Sequence, residues 1–360
     1  MKFSIVRSKF LDGLKDVQNI VPQKGSLPIL ENVLMTVEDG KLVMTTTDLD
    51  ISVRSVVECQ VVEKGATTLP VKLLANSVSK AAEGILQVEV DSDEKALVTA
   101  GLAKFRLIGQ PAKDYPRLPE FEDSCEYSME ASTLKEMLRK TAYAASTDDT
   151  RRALKGVLFS FKDQKLTMVA TDGRRLALVE KEIEFSPDSE KDIVLPSKTV
   201  QELFRMLGTE GNVKIKLHQS QVCFEFETKN VYSKLIDDVY PNYVQVIPRN
   251  TNEKVDIDRQ LFLDALDRAF VMNPTTKLVF DDNKLLVASS DNERGSASDE
   301  VPIKYAGERI EIHFNPNYIM ECLKAIDDDV VKMELKDGHS PVVIKCSIPF
   351  LYVLMPLRVG

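Results

Sequence analysis

The feature that most constrains the fold of this 360-residue chain is an internal repeat, because three landmarks recur in one order about 120 residues apart. A unit of that length is longer than a solenoid repeat and can bury a hydrophobic core of its own. The sequence therefore predicts three similar domains, at residues 1–122, 123–250 and 251–360. The first landmark is a turn with aspartate: Thr47-Asp48-Leu49, Thr171-Asp172-Gly173 and Ser290-Asp291-Asn292. The second is a proline that opens an amphipathic segment: Leu69-Pro70-Val71, Leu195-Pro196-Ser197 and Asn315-Pro316-Asn317. The third is an apolar stretch marked by proline: Asp114-Tyr115-Pro116, Val239-Tyr240-Pro241 and Leu354-Met355-Pro356.

Each copy contains two amphipathic helices separated by short strands. In the middle copy, Leu134 and Met137 begin the spacing of a helix with one buried face. Every second position is then apolar over residues 157–161 and 166–170, on either side of a polar turn, which indicates a hairpin. Hairpin strands are antiparallel, so a doubly wound parallel fold is disfavoured. We expect an α+β fold of three domains, each made of two halves in which a helix is followed by three or four antiparallel strands.

The composition limits the class of protein. Hydrophobic residues make up 43% of the chain, as in ordinary globular proteins, and no apolar run reaches the roughly 20 residues that cross a bilayer. The N-terminus lacks the apolar core of a signal peptide, so we expect a cytoplasmic protein with no membrane partner. The five cysteines are scattered without metal-ligand spacing and are interpreted as reduced thiols.

Charge is distributed unevenly along the chain. The net charge of −9 argues against a nucleic-acid binder that is basic all round. The predicted helices are nevertheless neutral or positive: segment 132–145 carries about +2, and segments 71–83 and 197–207 carry about +1 each. Two interpretations remain open, namely ordinary solvated helix faces or a helical face that avoids repulsion of a phosphate backbone.

The residues indicate no catalytic site. His218, His313 and His339 stand near no nucleophile and have no metal-ligand spacing. Adjacent acids such as Asp327-Asp328-Asp329 point to different sides of a strand or are solvated in a turn, and the chain has no glycine-rich phosphate loop. We therefore expect a protein that is not an enzyme and has neither cofactor nor metal. The alternative is a repeated-domain, metal-dependent enzyme acting on nucleotides or phosphate esters, with Asp172 among its ligands.

Four segments resemble one known family. Residues 170–177, with the sequence ATDGRRLA, resemble the central motif of the bacterial replicative sliding clamp, the β subunit of the replicative DNA polymerase. Residues 352–358 resemble its terminal signature, residues 26–32 the opening of its first domain, and residues 237–248 the exit of its second domain. The matches are collinear over nearly the whole chain. The resemblance implies a DNA-clamp fold that encircles duplex DNA and tethers the polymerase for processive synthesis.

The resemblance also implies a homodimeric ring. Head-to-tail contacts would bring the first domain of one chain against the third domain of the other, with the helices inside and the sheets outside. An edge strand with Phe105 and Leu107 would then face Val271 and Met272 of the second copy. The alternative is that these four residues belong to the domain cores.

A closed ring holds DNA by topology, so weak contacts to phosphates, independent of sequence, are sufficient and allow sliding. Each residue at a position that matches the family's inner surface could equally be an ordinary solvated charge. These positions are Lys24, Lys72, Arg152, Lys198 and Arg205.

A hydrophobic cleft between the second and third domains is the other site that the resemblance implies. It would capture short peptides of the replicative polymerase, the clamp loader and repair polymerases. Leu176 and Met355 would contribute to an adaptable apolar floor, and arginines would hold the peptide backbone or a carboxylate. The run 354–357 could instead be plain core. The implied cleft residues are Leu154, Thr171, Gly173, Arg174, Arg175, Leu176, Pro241, Val246, Asn315, Tyr318, Val353, Leu354, Met355, Pro356 and Leu357.

Several positions around this cleft depart from the family, including Pro341 on its far wall. Arg174 stands where the family often has histidine, Gln245 stands where many members have arginine, and His339 is unusual for the far wall. These departures bear on which peptides the cleft prefers and not on the class of protein.

Overall fold

A computed structural model describes residues 1–22, 27–121, 124–249, 251, 253–273, 275–291, 293, 295–346 and 349–358. The chain forms two compact units, residues 1–131 with 208–235 and residues 132–207 with 236–360. Each unit contains two antiparallel sheets. None of the helices within the described ranges is long and apolar enough to span a membrane.

In the first copy of the repeat, both helices begin directly after a strand and bury one face. Phe10 and Leu14 are fully buried in the first helix, and Leu74 and Val78 in the second, as their spacing predicts. The elements are β1 (Lys2–Val6), α1 (Arg7–Val17), β2 (Asn32–Glu38), β3 (Lys41–Thr47), β4 (Ile51–Glu58), β5 (Gln60–Glu63), β6 (Gly65–Pro70), α2 (Val71–Lys80), β7 (Ile85–Val90), β8 (Lys95–Ala100) and β9 (Ala103–Ile108).

The middle copy repeats this order without a counterpart of β5. Its first helix is shorter than the predicted segment 132–145, because it ends at Thr141 and continues as a 3₁₀ turn over Ala142–Ala144. The elements are β10 (Cys125–Glu130), α3 (Ala131–Thr141), β11 (Gly156–Lys162), β12 (Lys165–Thr171), β13 (Arg175–Glu182), β14 (Lys191–Pro196), α4 (Ser197–Met206), β15 (Asn212–His218), β16 (Gln221–Glu225) and β17 (Lys229–Lys234).

The third copy follows the same order. Its second helix has Pro316 at the first helical position, where a missing N–H has no intrahelical partner to lose, and the Asn315 side chain caps it by accepting from the Asn317 N–H at 3.0 Å. The elements are β18 (Glu253–Asp258), α5 (Arg259–Phe270), β19 (Thr276–Asp281), β20 (Lys284–Asp291), β21 (Gly295–Pro302), β22 (Ile310–Phe314), α6 (Pro316–Ala325), β23 (Val330–Leu335), β24 (Val342–Lys345) and β25 (Phe350–Leu354).

The two halves of each copy are interlocked by the strands that precede the helices, which the sequence analysis did not predict. In the first copy, β6 precedes α2 but pairs with β2 of the first sheet, whereas β1 precedes α1 but pairs with β7 of the second sheet. The other two copies repeat this exchange, with β14 beside β11 and β10 beside β15, and with β22 beside β19 and β18 beside β23. The α+β class, the six helices and the antiparallel sheets are as predicted.

Sheets of successive copies are joined edge to edge in a common register. In one unit β4 pairs with β17, and Ser52 lies opposite Tyr232. In the other unit β13 pairs with β25, and Leu176 lies opposite Val353. These two pairs occupy the same positions in their strands. Within the described residues, the corresponding strands β9 and β21 have a neighbour on one side only.

The repeated Asp turns share their hydrogen bonds. Asp48 Oδ1 accepts from the backbone N–H groups of Asp50 and Ile51 at 3.0 and 2.8 Å. Asp172 Oδ1 accepts from Arg174 and Arg175 at 2.8 and 3.0 Å in the same way. The turn needs one left-handed residue, which is Leu49 (φ 78°) in the first copy and Gly173 (φ 86°) in the second. Of these two copies, the second meets this conformation with a glycine and the first with a leucine.

Candidate functional site

An apolar cluster lies on the β14-β11-β12-β13-β25 part of the second unit's sheet. Leu158 of β11 pairs with Val169 of β12 and Val194 of β14, and Leu176 of β13 pairs with Val353 of β25. Since side chains alternate between the faces of a strand, these five share the face opposite Val157 and Phe159 in the helix-covered core. The partly buried residues packed against this cluster are Leu178, Ile236, Tyr240, Tyr243, Ile247 and Leu351.

The connection after β17 covers one side of the cluster. The Tyr240 hydroxyl donates to the carbonyl of Val169 at 3.3 Å, and burial raises its pKa well above the ordinary tyrosine value. The neighbouring side chains of Pro241 and Val246 are exposed. The cluster is therefore bordered by a segment that is anchored at its tyrosine and presents apolar groups to solvent.

The same five positions have a different character in the first copy. They form an equivalent surface at the junction of β4 and β17, but four of the five side chains are hydroxyl-bearing and buried. Thr68 Oγ1 donates to the Gln110 carbonyl at 3.0 Å, and Ser52 Oγ donates to Thr47 Oγ1 at 2.7 Å. The equivalents of Leu158, Val169, Leu176, Val194 and Val353 are Leu34, Thr45, Ser52, Thr68 and Tyr232. An apolar surface is thus built at one junction of the chain and not at the other.

A turn at residues 171–175 forms one wall beside the cluster. Thr171 Oγ1 donates to the carbonyl of Arg175 at 2.5 Å and accepts from the N–H of Gly173 at 3.1 Å. Thr171 itself is buried, whereas Gly173 and Arg174 are exposed. The turn is held internally, so it can present the Arg174 side chain without losing its shape.

Arg175 is buried, which corrects the expectation that both arginines contact a ligand. Its side chain is 8% exposed and donates to Asp172 Oδ2 (3.2 Å), the Tyr143 carbonyl (2.6 Å) and the Glu321 carboxylate. Burial alone would lower its pKa, but Tyr352, Glu321 and Asp172 hold the pKa above the ordinary arginine value. The donors of Arg175 are engaged within the protein, so it supports the wall and Arg174 is the arginine available to a ligand.

The chain end forms the opposite edge of the surface. The Met355 N–H donates to the Arg174 carbonyl at 2.9 Å, and the Leu357 N–H donates to the His313 carbonyl at 2.7 Å. Leu354 is fully buried, whereas Met355 and Leu357 are 44% and 38% exposed. Leu354 is therefore a core residue, whereas Met355 and Leu357 face solvent.

Helix α6 supplies the remaining wall. Tyr318, in its first turn, is half-buried beside Asn315, and its carbonyl accepts from the Tyr352 hydroxyl at 2.8 Å. Leu154 lies half-buried in a 3₁₀ turn before β11, and Pro356 is half-buried near the chain end. The residues of the implied cleft are thus brought together within one unit.

Sequence reasoning missed several residues of this surface. Leu158, Val169 and Val194 were not named, although the unbroken apolar run over 157–159 signals a strand with both faces covered. Glu321 and Tyr143, which hold Arg175, come from a helix and a turn far apart in sequence. No sequence pattern marks such contacts.

Four of the five basic residues implied to face DNA lie among the described residues. Lys72, Arg152, Lys198 and Arg205 are exposed, and Arg205 Nε donates to Glu202 at 2.8 Å. Lys24 lies outside the described residues. Each of the four described side chains can therefore reach solvent from the surface of its unit.

Helix α3 does not present the positive face that its composition suggested. Lys140 is 1% exposed and bonds to Glu136 at 2.7 Å, and Lys135 donates to the Leu207 carbonyl at 2.7 Å. Arg139 forms a two-pronged ion pair with Asp327. The cations of α3 thus serve contacts inside their unit.

The residues implied at a subunit interface divide into two groups. Leu107 is 3% exposed and belongs to the core of its own sheet, which favours the core alternative for this residue. Phe105 on β9 and Met272 after α5 are half-buried, and Val271 is 73% exposed. Ile108, at the end of β9, is 76% exposed and was not named from the sequence.

Nothing in the structure supports the metal-dependent alternative. No three His, Cys, Asp or Glu side chains converge as metal ligands within the described residues. The carboxylate of Asp172 is engaged by two backbone N–H groups and by Arg175. The arrangement is suited to binding apolar side chains in a bordered cleft.

The sequence matches the family of the DNA polymerase III beta subunit in three consecutive segments: the N-terminal domain at residues 1–119, the central domain at 128–242 and the C-terminal domain at 244–358. It is 31% identical to the beta sliding clamp of Chlamydia pneumoniae over 362 residues, 99% of each chain. It is also 31% identical to that of Escherichia coli K12 over 369 residues, 99% of this chain and all of the other.

Solved structures show the same likeness. The fold matches the DNA polymerase sliding clamp of Bacillus subtilis with a TM-score of 0.96 at 25% identity. It matches the sliding clamp of Pseudomonas aeruginosa bound to griselimycin with a TM-score of 0.96 at 30% identity, and both comparisons cover 100% of each chain.

Proposed function

Because the chain belongs to the family of the DNA polymerase III β subunit, the bacterial sliding clamps, we propose that two copies close around duplex DNA and hold partner proteins in the cleft at the β13–β25 junction. Members of this family are non-catalytic processivity factors of DNA replication. The chain is a DNA sliding clamp of this family and works with a DNA polymerase. The sites that follow are the residue-level part of the proposal.

The main support for the ring is that the repeat implies a third junction between sheets, whose two strands, β9 and β21, have a neighbour on one side only within the described residues. The first sheet of copy one joins the second sheet of copy two, and the first sheet of copy two joins the second sheet of copy three. By the same rule the first sheet of copy three, which ends at β21, joins the second sheet of copy one, which ends at β9. In a closed assembly of two chains, β21 of each chain would pair with β9 of the other.

Side chains on these two edges are complementary. Transfer of the shared register places Phe105 opposite Ala297, so that a large side chain meets a small one. It also places Lys104 diagonal to Glu300, which brings opposite charges together across the interface. The exposed Val271 and Ile108, together with Met272, would be covered in the same assembly.

Contacts with DNA need only be weak in this arrangement. A closed ring prevents escape sideways, so phosphate contacts serve to centre the duplex and not to hold it. We assign Lys72, Arg152, Lys198 and Arg205 to this role, with Lys24 as a further candidate from the sequence. Such contacts read no base edges and are compatible with sliding.

The cleft is assigned to peptide segments of partner proteins. Its apolar cluster would take aliphatic or aromatic side chains, Met355 would adapt to them, and Arg174 would hold a backbone carbonyl or carboxylate. We propose the replicative polymerase, the clamp loader and repair polymerases as partners. The cytoplasm is the compartment that we propose for these activities, and residues 1–122, 123–250 and 251–360 are the proposed domains.

The experiment that tests the ring compares circular with linear DNA after loading. A topological clamp stays on a closed circle and slides off a linear duplex with free ends. Retention on the linear duplex equal to that on the circle would overturn the proposal. Sedimentation of the protein alone gives a second test, since a chain that stays monomeric at high concentration cannot close in this way.

A further inference from the structure

We propose that Arg175 is a positioning residue that fixes the distance between the two walls of the cleft, so that partner affinity depends on a side chain that the partner does not touch. This inference rests on the proposed peptide-binding function of the cleft. One wall is the turn at 171–175, and the other is the first turn of α6, with Asn315 and Tyr318.

Arg175 spans these walls through contacts to both. Within the turn it donates to Asp172 Oδ2 at 3.2 Å, and it also donates to the Tyr143 carbonyl, in the 3₁₀ turn after α3, at 2.6 Å. On the side of α6 it bonds to the Glu321 carboxylate, and its guanidinium lies 4.4 Å from the centre of the Tyr318 ring. A planar group with five donors can satisfy all of these partners at once, which lysine cannot do.

The first copy shows that the fold does not require an arginine at this position. Arg175 opens β13, and the residue that opens β4 in the first copy is Ile51, which is 2% exposed. Both strands pair with their neighbours in the same register. Burial of a charge carries a desolvation cost, and an apolar side chain of similar volume is often as stable or more so.

An arginine at this position therefore occurs at the junction that has an apolar cleft, β13–β25, and not at the junction that lacks one, β4–β17. The junction with isoleucine has the polar side chains Thr45, Ser52 and Thr68 where a cleft floor would be. The junction with arginine has the apolar cluster and a solvent-facing chain end. A rigid link between the walls reduces the ordering that a ligand must impose when it binds, and this raises affinity.

The test uses labelled griselimycin, which is bound in solved sliding-clamp structures from Pseudomonas aeruginosa and Bartonella birtlesii, and fluorescence anisotropy on the full-length protein. We expect Arg175→Met to weaken binding about tenfold, while the midpoint of thermal unfolding moves by at most about 4 °C. Glu321→Gln should weaken binding about threefold, and the double variant should bind as the Arg175→Met variant does, because both changes break one link. Arg309→Met, which removes an exposed arginine paired with Asp281 and Glu311, is the matched control and should bind as wild type.

A readout of wall position separates this role from a general loss of stability. In protein labelled with 3-fluorotyrosine, the Tyr318 resonance, assigned by its loss in Tyr318→Phe, should shift in the Arg175→Met and Glu321→Gln variants and stay in place in Arg309→Met. Should Arg175→Met fail to fold, Glu321→Gln carries both measurements, since the Glu321 side chain is 46% exposed and Asp172 still pairs with the buried charge of Arg175.

The outcomes distinguish the two proposals. If wild type does not bind the probe, or if Leu176→Ser on the cleft floor binds as well as wild type, the cleft assignment itself is overturned. If wild type binds, Leu176→Ser does not, and Arg175→Met and Glu321→Gln bind as wild type, the cleft stands and the positioning role of Arg175 is refuted.

Discussion

Cysteines introduced at positions 105 and 297 should link two chains covalently, because the register shared by the two junctions places these positions opposite each other in the proposed ring. Directly opposite residues of antiparallel strands have Cα atoms about 4.5–5.5 Å apart, within the range of about 4.4–6.8 Å that a disulfide tolerates. A shift of two residues adds about 6.6 Å along the strand, which places the Cα atoms about 8 Å apart and out of reach.

The assay is non-reducing electrophoresis of the Phe105→Cys, Ala297→Cys protein after mild oxidation. A closed ring has two such contacts. We therefore expect a covalent dimer linked by two disulfides and, beside it, a dimer linked by one disulfide, which migrates differently. An open head-to-tail assembly would instead give a ladder of larger products.

Two controls make the result specific. The pair Phe105→Cys and Asp299→Cys is displaced by two residues and should link poorly, and wild type reports on its own five cysteines. Equal linking by the matched and displaced pairs would refute the register, and an absence of linked dimer at concentrations where the protein sediments as a dimer would refute the β9–β21 contact.

Three further outcomes are expected. Leu176→Ser, which replaces a side chain only 2% exposed, should lower the free energy of unfolding by about 2–3 kcal/mol in urea titrations, and a value near zero would contradict the assigned packing. Lys198→Ala with Arg205→Ala should reduce the slope of log affinity against log salt by about 2 per chain, at about 0.9 per phosphate contact, and an unchanged slope would remove both residues from the DNA-facing surface. Arg139 holds the pKa of Asp327 below 3.8, so the stability from this pair is present above that pH and is lost as the pH falls through the depressed value. Arg139→Ala should accordingly lower the unfolding temperature at pH 7 and lower it progressively less as the pH falls below 3.8, and a drop that does not depend on pH would exclude the ion pair as the cause.

The sequence was sufficient for the class, the repeat and the helices, because these depend on periodic patterns within short windows. The buried faces of α1 and α2 follow directly from the spacing of their leucines and valines. The strands β1, β6 and their equivalents were missed because each is short and runs straight into a helix, so its alternation merges with the helical pattern.

Side-chain roles within the cleft were harder to predict because they depend on contacts between distant segments. The resemblance brought Arg175 to the cleft, but its burial depends on Glu321 and Tyr143, which lie 146 and 32 residues away in sequence. Lys140 was counted as surface charge because composition cannot show which face of a helix is covered, and this lysine is 1% exposed and paired with Glu136 on the same helix. Charge counts along a helix predict its surface only where tertiary contacts are known.

In the proposed assembly, the edges β9 and β21, which have a neighbour on one side only among the described strands, make each chain a link with two different ends. A link of this kind has only two fates: the second bond returns to the first chain and ends growth, or it recruits another chain and growth continues into a fibre. The outcome is decided by the small rotation at each strand junction, since the rotations must add up to a full turn after two chains. A substitution that changes the tilt of a junction, with every hydrogen bond kept, would therefore convert the proposed closed dimer into a polymer, and turbidity that rises with protein concentration would be the first sign.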